Sequence, residues 1–250
     1  DLAGDMQASV KGELFSRMVK QTAIASANDE IQPILTGIML DINGEQLNLV
    51  ATDLHRLTLC QGVLQTQSQQ QTQVIVPAKT MLDVANLADA EEQVEISISH
   101  NNACFKMGAT IFVSRLISGQ FPDYRPIVPK EESFKHQVYV SKQLLGSALR
   151  RASLLSKDAN NTVRLKFEEG QIVMTANTTD IGNIREVIPA DFQGEELMVG
   201  YNLKYLLDFL KVSSSENIYM KLSGNLTPGV MLEEDNASFT YIVLPLRLID

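Results

Sequence analysis

The sequence has no tryptophan and only two cysteines, and aromatic residues make up 6% of its 250 residues. Cys60 and Cys104 are too few for a disulfide framework or a four-thiolate metal site, and we expect both to be small buried apolar residues in a reducing cytoplasm. The low aromatic content argues against a stacking platform for single-stranded nucleic acid. The apolar runs are too short for a transmembrane segment. Because the first residue is Asp1 and no signal-peptide pattern follows it, we expect a fragment or a processed chain.

The motifs of several enzyme classes are also missing. The sequence contains no glycine-rich phosphate loop and no GxSxG nucleophile elbow. Its three histidines (His55, His100 and His136) lack metal-ligand spacing, so we expect neither a metal nor another cofactor, and we expect His100 and His136 to be solvated. Asp53 and His55 are two residues apart and could in principle do acid–base chemistry. A two-domain hydrolase or transferase that uses this pair therefore stays an alternative.

The length of the chain suits two domains, and its two halves resemble each other. Residues 22–26 resemble residues 152–156. Residues 44–47 resemble residues 169–172, and residues 81–84 resemble residues 206–209, both at an offset of 125. The common order of these matches predicts two copies of one structural unit.

Each copy contains two predicted helices and several predicted strands. Apolar periodicity and capping signals predict helices over residues 11–26, 77–90, 141–157 and 201–213. Strands are predicted at residues 38–40, 47–50, 73–76, 94–98, 138–140, 163–167, 172–175, 218–222, 230–233 and 239–244. Asn43-Gly44 between two apolar runs is typical of a hairpin turn. Helices on one side of antiparallel sheets give an α+β fold, and residues 126–132, with two prolines, are typical of a linker.

Charge is distributed unevenly along the chain. The four predicted helices carry a net charge of +6, which leaves −15 on the rest of a chain whose net charge is −9. An acidic body with basic helices can attract phosphates at the helices alone. The alternative is that these lysines and arginines only solvate the helix surfaces. Because no predicted helix presents a base-reading pattern, we expect any DNA contact to be independent of sequence.

Three motifs carry a resemblance to a known family. They are Ala-Thr-Asp-Leu-His-Arg-Leu at residues 51–57, Phe-Pro-Asp-Tyr at residues 121–124 and Tyr-Ile-Val-Leu-Pro-Leu-Arg-Leu at residues 241–248. Ser114-Arg115-Leu116-Ile117, Asn202 and Tyr205 also match. In order and spacing the chain resembles the bacterial replicative sliding clamp, the beta subunit of DNA polymerase III. The resemblance covers the middle and C-terminal domains of that family.

This resemblance implies a DNA-clamp fold of two similar domains, with antiparallel sheets outside and two helices on the inner face of each. The expected division is a middle domain over residues 1–126, a linker over 127–135 and a C-terminal domain over 136–250. The implied function is that of a cytoplasmic, non-catalytic processivity factor, which encircles double-stranded DNA without reading its sequence. Implied partners are DNA polymerase, the clamp loader and repair proteins, which bind through short linear motifs. The full-length family protein is a homodimeric ring, whereas we expect this 250-residue chain to be mainly monomeric.

The resemblance also implies site residues. A peptide-binding groove between the two domains is expected to use Leu35, Thr52, Leu54, His55, Arg56, Leu57, Pro122, Ile127, Asn202, Tyr205, Val243, Leu244, Pro245, Leu246 and Arg247. The DNA-facing cations are expected to be Lys11, Arg17, Lys20, Lys79, Lys142, Arg150, Arg151, Lys157, Lys204 and Lys211. Leu154 and Leu155 match the apolar pair of the ring interface and are expected to be exposed without it.

The chain departs from the family pattern at three places. Leu54 stands where many members have a small residue, and we expect it to narrow the groove. Pro126 replaces a basic residue, so we expect one polar contact to peptides to be lost. Ile249 and Asp250 extend beyond the usual Arg-Leu end.

A protein-interaction scaffold without a DNA role stays a further alternative.

Overall fold

A computed structural model describes residues 6–29, 31–66, 68, 71–88, 93–155, 161–178 and 182–248. The chain forms two compact units, Asp1–Tyr124 and Arg125–Asp250. The division falls just before the predicted boundary at residue 126. Residues 127–135, which the sequence predicts as a linker, belong to the second unit. They are held there because the Lys135 N–H donates to the Leu222 carbonyl at 3.0 Å and Lys221 Nζ contacts Glu131 Oε1 at 2.5 Å.

The described part of the first unit contains two antiparallel sheets of four strands each. Its strands are β1 (Met6–Lys11), β2 (Gly37–Asn43), β3 (Gln46–Thr52), β4 (Arg56–Val63), β5 (Thr72–Pro77), β6 (Gln93–Ile98), β7 (Asn102–Met107) and β8 (Thr110–Arg115). One sheet has the order β1-β6-β7-β8, and the other has the order β5-β2-β3-β4. The predicted hairpin joins β2 to β3, where Asn43 pairs with Gln46 and Gly44 has a φ of 60°.

Two helices, α1 (Gly12–Ala23) and α2 (Ala78–Leu87), pack against these sheets. Helix α1 turns Phe15, Met18 and Val19 into the core. The Phe15 ring lies 5.8 Å from the Phe105 ring of β7, and Met18 packs over Gly62 of β4. The Ser16 hydroxyl donates to the Ala85 carbonyl at 2.8 Å and ties α1 to α2. The core therefore lies between the helix pair and both sheets.

The second unit repeats this pattern with one continuous sheet. Its strands are β9 (His136–Ser141), β10 (Thr162–Glu168), β11 (Gln171–Thr178), β12 (Gly182–Gln193), β13 (Leu197–Asn202), β14 (Asn217–Leu222), β15 (Gly229–Glu233) and β16 (Asn236–Val243). Their order is β13-β10-β11-β12-β9-β14-β15-β16, and all described pairs are antiparallel. Strand β12 is long enough to pair with β11 through residues 182–189 and with β9 through residues 190–193.

Helices α3 (Lys142–Leu155) and α4 (Leu203–Val212) cover this sheet. Ser141 is the residue before α3, and its hydroxyl accepts a long hydrogen bond of 3.5 Å from the Leu144 N–H. In α4 the Phe209 ring lies 5.4 Å from the Phe239 ring and 5.3 Å from the Tyr241 ring of β16. Each unit is thus an α+β arrangement of two helices on antiparallel strands, as the sequence predicts.

Two smaller observations complete the fold. None of the helices in the described ranges has the length and apolar character needed to cross a bilayer. The prediction that His136 is solvated is wrong, because His136 lies in β9, is buried and stacks on Phe192 at 6.1 Å. His100, by contrast, is exposed in a turn as expected.

Candidate functional site

The turn between β3 and β4 holds most of the first motif in a fixed shape. The Asp53 carboxylate accepts hydrogen bonds from the N–H groups of His55 and Arg56, both at 3.0 Å, and from Arg56 Nε at 3.0 Å. The Thr52 hydroxyl accepts from the Leu54 N–H at 3.1 Å and donates to the Arg56 carbonyl at 2.7 Å. Every one of these contacts is made within the turn, so they fix its backbone conformation.

The side chains of this turn differ in exposure. Thr52, Arg56 and Leu57 are buried, whereas Leu54 and His55 are exposed. Asp53 contacts His55 through the backbone N–H of His55, and its other oxygen is held by Arg56. The pair that suggested acid–base chemistry is therefore a turn cap. Within the described ranges, His, Cys, Asp and Glu side chains form no cluster of three that could hold a metal ion.

The other predicted groove residues of the first unit lie on two further segments. Leu35 is buried in a short 3-10 turn, Pro33–Thr36, and its carbonyl accepts from the Ala27 N–H at 2.8 Å. Pro122 is half-buried in the segment that follows β8. This segment is anchored by Tyr124, whose hydroxyl donates to the buried Asp41 carboxylate at 3.0 Å and accepts from Asn48 at 3.3 Å.

In the second unit the C-terminal segment returns to β13. After β16 ends at the buried Val243, the Leu246 N–H donates to the Gly200 carbonyl at 2.8 Å and forms a single bridge. The side chain of Leu248 packs directly over Gly200. Leu244 and Arg247 are exposed, whereas Pro245 and Leu246 are half-buried. The segment therefore presents one apolar and one charged side chain to solvent.

The start of α4 lies beside this segment in the fold. The Asn202 side chain caps the helix by accepting from the Lys204 N–H at 3.0 Å. The Tyr205 carbonyl accepts from the Tyr241 hydroxyl at 3.0 Å. The structure thus places Asn202, Tyr205 and the C-terminal motif in one unit. Ile127, assigned to the same groove, is an exposed residue of the second unit.

Most of the predicted DNA-facing cations lie on exposed helix positions. Exposed examples on the described helices, or at the residue before them, are Lys11, Arg17, Lys20, Lys79, Arg150, Arg151, Lys204 and Lys211. Glu13 and Asp83 are exposed on α1 and α2 as well. Lys157 lies outside the described residues. Leu154 of the predicted ring interface is 68% exposed, and the side chain of Leu155 also lies outside the described residues.

Two of these cations are engaged within the protein. Arg151 makes two parallel hydrogen bonds to Glu186 of β12, at 2.5 Å and 2.7 Å. Hydrogen bonding to Arg151 lowers the pKa of Glu186, and the same contact raises the pKa of Arg151. Lys142 is half-buried, and its ammonium donates to the Ser213 carbonyl. The sequence predicts the same role for Arg151, Lys142 and Arg150. In the structure, however, Glu186 partly neutralises Arg151, and Lys142 is directed inward to the Ser213 carbonyl.

Sequence reasoning missed two structural supports of the candidate sites. One is the Asp41–Tyr124 contact, which joins residues 83 positions apart. The other is Gly200, where an added Cβ would lie 2.6 Å from Leu248 Cδ2 and 3.0 Å from the Leu246 carbonyl oxygen. A buried acid in the apolar strand β2 was the signal for the first, and a glycine inside a strand was the signal for the second.

Comparison with known proteins agrees with this geometry. Residues 9–123 match the family model of the DNA polymerase III beta subunit central domain, and residues 125–247 match that of its C-terminal domain. The chain is 31% identical over 246 residues to the beta sliding clamp of Pseudomonas putida. It is 31% identical over 249 residues to that of Escherichia coli K12. A crystal structure of a Pseudomonas aeruginosa sliding clamp bound to griselimycin matches 99% of the chain and 67% of that protein, with a TM-score of 0.93 and 31% identity.

These matches confirm the predicted fold, and the two units are domains of a sliding clamp. The chain belongs to the family of the DNA polymerase III beta subunit and contains its central and C-terminal domains. The match to the Pseudomonas putida relative spans 98% of this chain but 66% of that relative. In the Escherichia coli comparison the corresponding shares are 99% and 67%.

Proposed function

We propose that this chain is part of a processivity clamp of bacterial DNA replication, which encircles duplex DNA and tethers a polymerase to it. The observation that carries the proposal is the match of both units to consecutive domains of one clamp family. A ring holds DNA by its topology, so it needs cations that attract phosphates and no residues that read bases. We further propose that it acts in the cytoplasm, without catalysis of its own, as a homodimeric ring in the full-length protein.

The proposed DNA-binding surface consists of the exposed cations of the helix pairs. They are Lys11, Arg17, Lys20 and Lys79 in the first unit, and Arg150, Lys204 and Lys211 in the second. Basic helices on an otherwise acidic chain support this assignment, because net repulsion elsewhere confines DNA to the helices. The lysine and arginine side chains are long, so they can neutralise phosphates without a fixed register on the duplex.

The proposed peptide-binding residues are those that the family resemblance implies: Leu35, Thr52, Leu54, His55, Arg56, Leu57 and Pro122 in the first unit, and Ile127, Asn202, Tyr205, Val243, Leu244, Pro245, Leu246 and Arg247 in the second. Two observations support this role. Hydrogen bonds within the turn fix the backbone of residues 52–57, and the C-terminal segment carries exposed Leu244 beside half-buried Leu246. A backbone that is ordered by its own bonds, with exposed apolar side chains, suits a peptide anchored by leucine or phenylalanine. Polymerase, loader and repair proteins are the proposed owners of such peptides.

A retention experiment tests the clamp proposal. The chain is joined to the N-terminal domain of the Pseudomonas putida relative and loaded by a clamp loader onto a nicked circular plasmid. We expect the protein to co-elute with circular DNA in gel filtration and to be lost after the plasmid is cut once. The 250-residue chain alone, expected to sediment as a monomer, is the control. Equal retention on circular and linear DNA, or peptide binding without any retention on circles, would favour a scaffold.

Arg150 and Arg151 provide a matched pair for testing the DNA surface. We expect Arg150→Gln to lower the slope of log K against log salt for duplex DNA by about 0.9, the loss of one phosphate contact. Arg151→Gln should lower it by less than half as much, because Glu186 already holds Arg151. Fluorescence anisotropy with two unrelated duplexes, recorded at several salt concentrations, measures the slope for each variant. A preference for one duplex, or equal effects of the two substitutions, would contradict the assignment.

The Arg151–Glu186 contact also sets a pH dependence. Because the pKa of Glu186 is lowered in the folded protein, the contact is complete above the unfolded pKa of glutamate, about 4.3. It is lost as the pH falls through the lower folded value. At pH 7 the contact is therefore complete. Glu186→Gln should release Arg151, and log K should then depend on log salt more steeply than in the wild-type chain.

A further inference from the structure

The two helix pairs differ at one position of the repeat. Ser16 is the fifth residue of α1, and Gly146 is the fifth residue of α3. In the first unit the Ser16 hydroxyl joins α1 to α2 by donating to the Ala85 carbonyl at 2.8 Å. Gly146 has no side chain that could join α3 to α4, and glycine is less favourable inside a helix than every residue except proline. Residue 146 thus gives up helix stability and leaves space beside α4.

An open cleft lies between α3 and α4 at this position, and we call it the α3–α4 cleft. Its volume is about 790 Å³, which lies within the range of small-molecule sites. Gly146, Leu207 and Leu210 supply its apolar surface. A Cβ added at Gly146 would lie 3.6 Å from Leu210 Cδ1, so the two helices approach each other at the glycine and form a common apolar floor.

Three cations and one carboxylate line the α3–α4 cleft: Lys142, Arg150, Lys211 and Glu216. The Lys142 ammonium is directed to the Ser213 carbonyl. Arg150 donates to the Ser147 hydroxyl at 3.2 Å. In the part of the chain that the structure describes, no carboxylate lies within ion-pair distance of Arg150 or Lys211. Each helix therefore contributes one cation whose charge is not neutralised.

We propose that the α3–α4 cleft binds a nucleoside monophosphate, with its phosphate on Arg150 and Lys211 and its base on the apolar floor. A guanidinium group matches two oxygens of a phosphate. A phosphate monoester carries a charge of about −1.5 to −2 near neutral pH, which is enough for one cation from each helix. The base then covers Leu207, which is half-buried in the free protein, and removes apolar surface from water.

Gly146 makes room for both parts of this ligand. A Cβ at residue 146 would lie 3.3 Å from Arg150 Nη1, which is tighter than an ordinary van der Waals contact. Any side chain there would push the guanidinium away from the floor and would cover part of Leu210. With glycine, the guanidinium lies directly beside the apolar surface, so a phosphate bound to it carries its base onto the floor.

The α3–α4 cleft shares Arg150 and Lys211 with the proposed DNA-binding surface and shares no residue with the proposed peptide-binding residues. A bound nucleotide would neutralise two of the cations that attract duplex phosphates, so nucleotide and duplex should compete. The competition rests on the proposed DNA-binding function. Binding of the nucleotide itself does not, because it depends on the cleft alone.

Isothermal titration calorimetry of the 250-residue chain at low salt tests the cleft with three probes. They are deoxyadenosine monophosphate (dAMP), deoxyadenosine, which lacks the phosphate, and inorganic phosphate, which lacks the base. We expect dAMP to bind at least about tenfold more tightly than either of the others, because only dAMP uses both the cations and the floor.

Three variants locate the site. Gly146→Ser introduces the residue that the first unit has at this position, and it should weaken dAMP binding at least about fivefold without lowering Tm. Arg150→Gln should weaken dAMP binding about tenfold, through the loss of a charge-assisted contact. Lys135→Gln makes a matched change of charge at an exposed lysine outside the cleft, and it should leave dAMP affinity within about twofold.

A second measurement separates the cleft from the DNA surface. In fluorescence anisotropy, excess dAMP should displace a labelled duplex from the wild-type chain more than from Gly146→Ser, with inorganic phosphate at the same ionic strength as the control. Binding of dAMP without any binding of duplex would support the cleft and contradict the proposed DNA surface. Equal affinities for dAMP and inorganic phosphate, or unchanged dAMP affinity in Gly146→Ser, would overturn this inference and leave the clamp proposal to its retention experiment.

Discussion

Alanine at position 229 is expected to destabilise the second unit by about 3 kcal/mol, because it overpacks a closed site. Gly229 begins β15, and a Cβ there would overlap the Tyr201 hydroxyl and approach Leu222 Cδ2 to 3.0 Å. The Tyr201 side chain is fully buried, so it cannot swing into solvent. Urea unfolding of the wild-type chain and the variant, followed by circular dichroism, measures the loss.

The same clash predicts a rescue. Within the described residues the Tyr201 hydroxyl has no hydrogen-bond partner, and burial raises its pKa, so it stays neutral. Tyr201→Phe alone should therefore be neutral or stabilise the chain by about 1 kcal/mol. In the double variant the hydroxyl is gone, and at least half of the loss caused by Gly229→Ala should return. Additive effects of the two substitutions would contradict the packing described for this site.

The second large effect is expected at Gly200. Gly200→Ala places a methyl group 3.0 Å from the Leu246 carbonyl oxygen and 2.6 Å from Leu248 Cδ2. The backbone of the C-terminal segment must then move, and its single bridge to β13 is strained or broken. Because a small misplacement of an anchoring segment removes much of a binding hot spot, peptide affinity should fall at least tenfold.

Two comparisons make this result interpretable. Gly224→Ala adds the same methyl group where the nearest atom, Thr227 Oγ1, is 3.7 Å away, and it should change neither stability nor binding. Leu246→Ala removes a predicted contact without moving the backbone, and Pro122→Ala does the same in the first unit. Fluorescence titration with a fluorescein-labelled peptide of a bacterial replicative polymerase that binds the wild-type chain compares all four variants. Normal affinity of Gly200→Ala would show that the C-terminal segment does not bind the peptide.

Local sequence signals were sufficient for the helices and for the tightest turns. The apolar stripe from Leu14 to Val19 predicts α1 because a buried helix face repeats every three to four residues. Asn43-Gly44 predicts the hairpin turn because glycine readily adopts a positive φ, and Gly44 has a φ of 60°. The predicted site motifs also occupy defined turns and segments within each unit, since most of their residues are neighbours in sequence.

Contacts between residues far apart in the sequence, and unusual backbone conformations, could not be predicted from local sequence signals. Strand β12 was missed because residues 182–193 include Pro189 and several polar residues and show no clear alternation of apolar and polar residues. The bond between Asp41 and Tyr124 joins distant residues, and the positive φ of Leu54, 70°, is not indicated by any pattern in the sequence. Arg151 was grouped with Arg150 because a helix sequence does not reveal that a strand carboxylate 35 positions away will hold one of two adjacent arginines.

The Asp41–Tyr124 bond has a mechanical consequence. Tyr124 is the last residue of the first unit, and the chain passes directly from it into the second. A pull on the chain beyond Tyr124 would therefore be transmitted to β2 through this phenol–carboxylate bond as well as through the backbone.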